Sequence, residues 1–377
     1  MRFILLAALC AAAAASCDSD FDCSLNGLCQ NSACICDPPW HGPFCSLLLP
    51  APAPITPAFG LNSTNRGDST TSWGATVLLR NATFHMFLAE MVNHCGLNDW
   101  TSASRCTHAT SASPLGPFTF TDVAVEVWCH NPHVVEDPAT GELFMFHLGN
   151  GTHTGAEPNC SRKHDGIASE DPKPADSGST LHMAQGPNGP WLPVDLPLPA
   201  SACNNPAPLR LANGTWLLAC ARQRQLLVAP SPRGPWVAAG AMPTGKNQQW
   251  EDPVLWEDAR SNIHALFHAY TLQPSPPAPG TCAGNPVSAH AFSRDGAVWG
   301  VSDDAPYNNT FLRADGVTIT AATLERPKLG FWGPAPSSPT HLYNGAAGLP
   351  GGEPGCTGTC NRCKLEGWDY TLARELT

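Results

Sequence analysis

Two adjacent carboxylates, Glu251 and Asp252, stand directly before a proline and an apolar run in the stretch QQWEDPVLW, residues 248 to 256. A protonated carboxyl group can donate a proton and an ionised one can accept it, so such acids are candidates for general acid and base catalysis. Successive side chains of a strand alternate between its faces, so we expect Asp252 to face away from Glu251. The alternative is a turn in which both carboxylates only accept backbone N–H groups.

Further polar and aromatic side chains occupy comparable places, where an apolar strand begins or ends. Glu90 follows a mostly apolar run and is, with Asp252, a candidate for the second catalytic carboxylate. His147 and His268 end two strands at matching positions, with a hydrogen-bonded core histidine as the alternative for each. The other candidates for binding are Trp73, His130, Asn131, Asn205, Trp250 and Glu325. Hydrogen-bonding groups combined with aromatic faces are what a carbohydrate site requires.

These residues belong to a repeated pattern of an apolar strand, a polar turn and a second apolar strand. Five copies begin at Trp73, His130, Asn204, Glu251 and Glu325. Turns of the Gly-Pro-aromatic type separate several copies, with the aromatic residue at Phe118, Trp191 or Trp236. The abundance of proline and glycine, 38 and 33 residues, and the scarcity of helix-period segments predict an all-β chain.

Five such units, each with room for four short strands, predict a five-bladed β-propeller over residues 60–377. A β-sandwich is the alternative, but it does not predict the same hairpin and turn in every unit. The last stretch, residues 368–376, alternates like a strand and is expected to close the ring as an outer strand. In each antiparallel hairpin the residues that open the first strand lie beside those that end the second. The candidate residues should therefore converge on one end of the central funnel.

The blade pattern resembles that of the five-bladed propeller glycosidases, which include glycoside hydrolase family 43 and the invertase-like enzymes. Each innermost strand of those enzymes opens with an acid-x-Pro or acid-Pro motif, and carboxylates from different blades act on a sugar in the funnel. The resemblance implies binding of a poly- or oligosaccharide and hydrolysis of its glycosidic bonds. It places Glu251, in Trp-Glu-Asp-Pro, at the position of the general acid.

Two other positions depart from the pattern of that family. Asn205 stands where an aspartate tunes the acid and orients the sugar, and Gly74 stands near the usual place of the catalytic base. Hydrolysis requires an acid and a base or nucleophile, and an amide cannot transfer the proton. Two functions therefore remain open. One is a glycosidase with Glu251 as acid and Glu90 or Asp252 as base, and the other is a catalytically inactive carbohydrate-binding or cell-surface adhesion protein.

The first residues predict export from the cell. Arg2 is followed by an apolar run and by small residues before Cys17, the pattern of a secretory signal peptide over residues 1–16. No later apolar run is long enough to span a membrane, so we expect a secreted protein. The sequons predict N-glycosylation at Asn62, Asn81, Asn150, Asn159, Asn213 and Asn308. A net charge of −11 argues against nucleic acid and anionic membranes as partners.

Residues 17–46 form a separate, cysteine-rich segment whose last part, Cys34 to Cys45, resembles the EGF-like module. Spacing alone leaves the disulfide pairing open. The resemblance implies the pairs Cys17–Cys29, Cys23–Cys34 and Cys36–Cys45, and a possible contact with a protein partner. Residues 47–59 are rich in proline and predict an extended, semi-rigid linker.

The remaining cysteines are expected to form disulfides in an oxidising compartment. The spacing of Cys356, Cys360 and Cys363 could suggest zinc, but no histidine follows at ligand spacing. We therefore assign no metal to these cysteines and expect no cofactor, and the sequence leaves open whether a cation binds on the propeller axis.

Overall fold

The computed structural model describes residues 16–60, 70–97, 100–151, 178–199, 203–220, 223–245, 248–271, 288–321, 323–333, 335, 337–347 and 369–377. Apart from strands, these residues contain a 3-10 turn, Val92–His94, and one short helix, α1 (Trp100–Ala103). Four short strands precede the large sheets, namely β1 (Gly27–Gln30), β2 (Ala33–Cys36), β3 (Trp40–His41) and β4 (Leu47–Leu48). The all-β fold expected from the sequence is confirmed.

Five antiparallel sheets follow along the chain, and each is one blade. The first contains β5 (Ser72–Arg80), β6 (Thr83–Met91), β7 (Ser104–Ser111) and β8 (Thr119–Val125). The second contains β9 (His130–Glu136), β10 (Leu143–Leu148), β11 (Ser179–Ala184) and β12 (Leu192–Val194). The third contains β13 (Pro206–Arg210), β14 (Trp216–Cys220), β15 (Gln225–Ala229) and β16 (Val237–Ala241).

The fourth blade contains β17 (Gln248–Glu257), β18 (Ile263–Thr271), β19 (Ser288–Ser293) and β20 (Trp299–Val301). A two-stranded hairpin, β21 (Thr310–Leu312) and β22 (Thr318–Thr320), comes next. The fifth blade has three strands, β23 (Thr323–Gly330), β24 (His341–Ala347) and β25 (Tyr370–Glu375). The first strands of the blades contact one another in ring order, from β5 through β9, β13, β17 and β23 back to β5. The predicted five-bladed propeller is therefore confirmed.

Apolar side chains fill the space between neighbouring blades. Phe146 of the second blade and Trp236, which follows the third strand of the third, meet edge to face with centroids 6.3 Å apart. Leu217 of the third blade and Phe267 of the fourth belong to one buried cluster. The alternation of large apolar residues along each strand thus packs the blades against each other around the axis.

The two ends of the described chain close the ring together. β25 pairs with β24 as the third strand of the fifth blade, as expected for the last stretch of the sequence. The chain before the first blade then bonds to the other edge of β25. The Ala51 and Ala58 amides donate to the carbonyls of Glu375 and Thr371 at 2.8 and 3.0 Å, and the Thr371 amide donates to the Phe59 carbonyl at 3.0 Å.

The proline-rich segment is therefore not a spacer that holds two parts of the protein away from each other, as its composition suggested. It is extended, but Ala53 and Phe59 are fully buried. The Leu48 amide donates to the Pro306 carbonyl, 2.9 Å away, and the Ala53 amide to the Leu312 carbonyl, 2.8 Å away. The segment lies along the propeller because these unpaired strand edges bind its backbone.

The N-terminal cysteine-rich segment contains the disulfides Cys17–Cys29, Cys23–Cys34 and Cys36–Cys45, the pairs that the EGF-like resemblance implies. It packs on the fourth blade. Trp40 stacks on Trp256 with ring centroids 6.3 Å apart. Arg260 donates to the Leu25 carbonyl at 2.7 Å and pairs with Asp37 at 2.6 Å.

Several sequence features lie outside the described residues, namely residues 1–15 of the expected signal peptide, the sequons at Asn62 and Asn159, and Cys356, Cys360 and Cys363. The other sequon asparagines, Asn81, Asn150, Asn213 and Asn308, are exposed. In the described part of the chain, no helix combines the length and the apolar character needed to cross a membrane.

Candidate functional site

A bulge opens the innermost strand of most blades and directs one side chain toward the axis. In the first, fourth and fifth blades the pairing register of the first two strands shifts directly after Trp73, Glu251 and Glu325. In the second blade it shifts between His130 and His133. The residue at the bulge, or at the equivalent place in the third blade, has a left-handed backbone with φ between 50° and 59°. These five residues are Gly74, Asn131, Asn205, Asp252 and Arg326.

The bulge corrects one expectation from the sequence. Strict alternation would aim Asp252 away from Glu251, but the left-handed conformation of Asp252 interrupts the alternation. Ligand atoms of Glu251, Asp252 and His268 all lie within 4.8 Å of one another. Both carboxylates therefore belong to one cluster.

His268 lies at the centre of this cluster, opposite Glu251 in the register of β17 and β18. Its Nδ1 is 3.8 Å from Glu251 Oε1, 3.8 Å from Glu325 Oε2 and 3.9 Å from Asp252 Oδ2. These distances exceed a direct hydrogen bond but can be bridged by water or by a hydroxyl group of a ligand. The histidine thus faces carboxylates from two different blades.

Exposure distinguishes the three acids. The side chain of Glu251 is 26% exposed, that of Glu325 7% and that of Asp252 0%. Glu251 is therefore the acid that a molecule in the funnel reaches first. Asp252 lies beneath it.

Asp252 is held by the other residues of the axial ring. Its Oδ1 lies 3.2 Å from Arg326 Nη1, an ion pair whose alignment is poor for a hydrogen bond. The same oxygen accepts a hydrogen bond from Asn131 Nδ2 at 3.3 Å, and this amide also donates to Asn205 Oδ1 at 3.0 Å. Four blades are thus linked at the axis through side chains.

The pKa of Asp252 is raised to about 6, and burial is the main cause. The nearby carboxylates of Glu251 and Glu325 raise it further, whereas Arg326 and His268 oppose the shift. A second buried cation, Lys328, donates to the Pro253 carbonyl at 3.4 Å. Burial lowers the pKa of Lys328 to about 8. The cluster therefore combines three acids with two cationic side chains.

Glu251, Asp252 and His268 offer ligand atoms at a spacing that suits a metal ion. The Arg326 guanidinium already places a positive charge 3.2 Å from Asp252. Asp252 thus has a cationic partner within the chain.

Glu90, a sequence candidate for the catalytic base, has a different environment. Its carboxylate accepts hydrogen bonds from Thr107 at 2.6 Å and Thr70 at 3.3 Å. Arg105 donates to the same carboxylate from Nε and Nη2 at 3.1 and 3.0 Å. Glu90 is 1% exposed, and these partners lie in or just before the first blade. The contacts describe a structural ion pair, and they do not join Glu90 to the His268 cluster.

The two matching histidines have different neighbours. His147 occupies the place in the second blade that His268 occupies in the fourth, but its Nε2 bonds to His182 Nδ1 at 2.8 Å. Burial lowers the pKa of His147 to about 3. His130 lies under the Trp100 ring and bonds to Ser104 Oγ at 3.1 Å. Burial and the nearby Arg326 lower the pKa of His130 well below its usual value.

The two tryptophans expected to offer sugar-stacking faces are packed inside the protein. Trp73 is 1% exposed, and its ring lies against the backbone of Gly345. Trp250 is 6% exposed and packs on Phe267 with centroids 5.0 Å apart. Neither ring is available as a sugar platform, because inward-facing apolar side chains at these positions are used to fill the space between blades.

Sequence reasoning placed Asn344 at the funnel end of its strand but missed Arg326, Lys328, Tyr307 and Arg374. Arg326 and Lys328 follow Glu325 on the same strand, and the Glu-x-Pro spacing shared with Glu251 was the available signal. Asn344 donates to the Tyr307 hydroxyl at 3.0 Å and accepts from Arg374 at 3.1 Å. Burial raises the pKa of Tyr307. No local motif predicts this second network, because its members are distant in sequence.

Comparison with solved structures places this fold among propeller glycoside hydrolases. The catalytic domain of a GH62 α-L-arabinofuranosidase from Coprinopsis cinerea aligns with a TM-score of 0.52 at 12% identity, over 88% of this chain and 98% of that one. A family 117 glycoside hydrolase from Zobellia galactanivorans gives 0.50 at 12% identity, over 88% and 90% of the two chains. An exo-β-1,3-galactanase from Phanerochaete chrysosporium with bound β-1,3-galactotriose gives 0.51 at 12% identity, over 86% and 64%.

At these identities the likeness concerns the fold. The chain has the five-bladed propeller of these glycoside hydrolases, in agreement with the resemblance seen in the blade pattern. No protein-family model and no curated protein sequence matches it.

Proposed function

We propose that the protein binds a poly- or oligosaccharide in the central funnel and hydrolyses a glycosidic bond there, with Glu251 as general acid and Glu325 as the second carboxylate. The observation that carries this proposal is the placement of both glutamates 3.8 Å from His268 Nδ1. They come from the innermost strands of neighbouring blades, β17 and β23. Glu325 thus replaces Glu90 and Asp252 as the best candidate for the base or nucleophile.

The distances of the two carboxylates from His268 limit how far apart they lie. Both oxygens lie 3.8 Å from one nitrogen, so they are at most twice that distance apart. Carboxyl groups of glycosidases are about 5–5.5 Å apart in retaining enzymes and about 6.5–9.5 Å apart in inverting ones. The upper limit on the distance between the two oxygens is therefore large enough for either class of glycosidase.

The difference in exposure supports the division of roles. Glu251, the more accessible acid, is suited to protonate the leaving oxygen of a sugar that enters the funnel. We assign the deeper Glu325 the role of the group that attacks the sugar or activates a water molecule. His268 lies between the two and is suited to bind a sugar hydroxyl group or a bridging water.

The names of the structural neighbours are consistent with a carbohydrate ligand. The galactanase from Phanerochaete chrysosporium was solved with β-1,3-galactotriose, and the relative from Coprinopsis cinerea is named as an arabinofuranosidase. We extend only the class of ligand to this chain.

A carbohydrate-binding protein without turnover is the second candidate, and a specific observation favours it. The axial residues of the first, second and third blades are Gly74, Asn131 and Asn205, none of which can transfer a proton as a carboxylate does. A funnel with this composition can still hold hydroxyl groups through its amides and histidines.

The two candidates are separated by a glycan array together with a panel of chromogenic glycosides. The wild type would be compared with Glu251→Gln, Glu325→Gln and, as a matched control, the exposed Glu375→Gln. For a glycosidase, we expect turnover by the wild type and the control, and glycan binding with little turnover by the two funnel variants. Binding without turnover by the wild type would instead establish the second candidate.

The same proposal includes export and a modular organisation. Residues 1–16 would be removed as a signal peptide, leaving an EGF-like module over 17–46, the proline-rich segment over 47–59 and the propeller over 60–377. Disulfides such as Cys106–Cys129 and Cys203–Cys220, in the propeller, fit an oxidising compartment. Mass spectrometry of the protein secreted by a eukaryotic host tests this: the chain should begin at Cys17 and lose mass on enzymatic removal of N-glycans.

A further inference from the structure

Arg326 and Gly74 lie against each other on the innermost strands of neighbouring blades, the fifth and the first. A Cβ atom on Gly74 would lie 3.0 Å from Arg326 Cδ and 3.3 Å from Asn131 Oδ1. Any side chain at position 74 would have to displace the arginine stem or the amide. The first blade thus leaves space at the axis, and the fifth blade fills that space with a guanidinium group.

We propose that Arg326 is a positioning residue of this site, which uses the space left by Gly74 to fix the Asp252 carboxylate in an axial ion pair. Asp252 is then the charge partner of Arg326 and not the second catalytic carboxylate. The catalytic part of this inference rests on the proposed function, whereas the ion pair does not.

Burial and distance support an ion pair between Asp252 and Arg326. The side chains of Asp252 and Arg326 are 0% and 11% exposed, and their charged atoms are 3.2 Å apart. Asn131 donates to the same Asp252 oxygen at 3.3 Å. A charge this deeply buried is tolerated only when it is paired and hydrogen-bonded.

The electrostatics of the cluster indicate what the pair does. The titratable groups that face Asp252 are Glu251, Glu325, His268, Tyr307, Arg326 and Lys328. Burial and the two glutamates raise the pKa of Asp252, and Arg326 is the largest effect that opposes them. Without the guanidinium group, Asp252 would remain protonated to a higher pH.

Removal of Arg326 therefore has a cost that rises with pH. Near pH 8 the wild type holds an ionised, paired Asp252, whereas at pH 4 Asp252 is protonated and the pair is absent in any variant. If Arg326 served only to fill space, its replacement would cost the same at every pH. A loss of stability that depends on pH therefore distinguishes an ion pair from a side chain that only fills space.

The test is thermal unfolding from pH 4 to pH 8, without any glycan, of the wild type, Arg326→Met, Asp252→Asn and the double variant. We expect Arg326→Met to lose about 5–10 °C in Tm at pH 8 and much less at pH 4, and the same substitution in the Asp252→Asn background to cost about the same at every pH. Asp252→Asn alone should gain stability relative to the wild type as the pH rises, because the raised pKa of Asp252 makes its ionisation costly in the folded state. The double variant should be clearly more stable than the sum of the two single effects. Arg374→Met is the matched control. This buried arginine contacts Asn344, Tyr307 and Phe311 and forms no ion pair with a carboxylate of the described residues, so its loss should not depend on pH.

Equal losses at all pH values, or additive losses in the double variant, would overturn the ion pair. If Arg326→Met does not fold, recovery of folding in the double variant supports the ion pair, and loss of folding in both variants overturns it. Turnover tests the catalytic part: Asp252→Asn should keep kcat within about tenfold of the wild type, against a loss of about 10²–10⁴-fold for Glu251→Gln. A comparable loss in Asp252→Asn would make Asp252 catalytic and overturn the inference. Coupling in Tm without turnover by the wild type would refute the proposed hydrolysis and leave the ion pair intact.

Discussion

His264 Nδ1 lies 3.1 Å from His290 Nε2 inside the fourth blade. His290 Nδ1 bonds in turn to Ser302 Oγ at 3.0 Å, and Ser302 donates to Ser24 of the N-terminal segment at 3.2 Å. The equivalent strands of the first blade hold His85 and His108, 2.9 Å apart. Buried histidine pairs are therefore a recurrent means of joining the strands of a blade.

We predict that this protein loses stability in mild acid. Burial lowers the pKa of His264 and lowers that of His290 well below the usual value. Because the unfolded chain binds more protons below about pH 6.5, the folded state is fully stabilised above that pH and loses stability as the pH falls, by about 1.4 kcal/mol per pH unit for each such histidine. The raised pKa of Asp252 acts in the opposite direction, but it is a single group.

Denaturant unfolding between pH 7.5 and 5 measures this effect. His290→Gln should show a shallower dependence of the free energy of unfolding on pH than the wild type, because one buried histidine no longer titrates. A free energy that does not change from pH 7.5 to 5 in the wild type would contradict the prediction.

Gly74→Ala should destabilise the protein by about 2–4 kcal/mol. The residue has a φ of 59°, and the added Cβ would approach Arg326 Cδ to 3.0 Å, so both strain and a clash contribute. Gly316→Ala is the control, because its φ is 84° and nothing lies within 4 Å of an added Cβ. The control should lose only the strain energy of about 1–2 kcal/mol. Equal losses in the two variants, measured by denaturant unfolding, would show that the axis has free space at Gly74.

Phe59→Ala should reduce the free energy of unfolding by about 3–5 kcal/mol, because its ring is 0% exposed and lies in a cluster with Val77 and Tyr343. Ile55→Ala, in the same proline-rich segment, should change it by less than about 0.5 kcal/mol, because Ile55 is 60% exposed. Similar small losses in both variants would mean that the segment is a free linker after all.

The sequence predicted the blades because each hairpin is a local unit with its own turn, and turn residues such as those before Trp191 and Trp236 mark its ends. The direction of Asp252 was not predictable from alternation, since a single left-handed residue reverses it. The available signal was the residue type: Asn131, Asn205 and Asp252 each precede a proline, and short polar side chains tolerate that conformation better than most.

Contacts with other strands account for the remaining differences between the predicted and the observed site. His147 matches His268 in position, but His182 on the neighbouring strand takes its Nε2. Arg105 and Thr107, on the strand beside Glu90, occupy its carboxylate. Such pairs depend on which strands become neighbours and on local register, so a pattern within one strand does not reveal them.

The central claim is that Glu251 and Glu325 act as one catalytic pair, and the most direct test is the rate of release of reducing sugar from a glycan bound by the wild type. Glu251→Gln and Glu325→Gln should each lower kcat by about 10²–10⁴-fold, and the double variant should lose little more than the worse single variant, since the two groups act in one reaction. The exposed control Glu375→Gln should match the wild type. Wild-type kcat in Glu325→Gln, with activity lost only in Glu251→Gln, would contradict the pair.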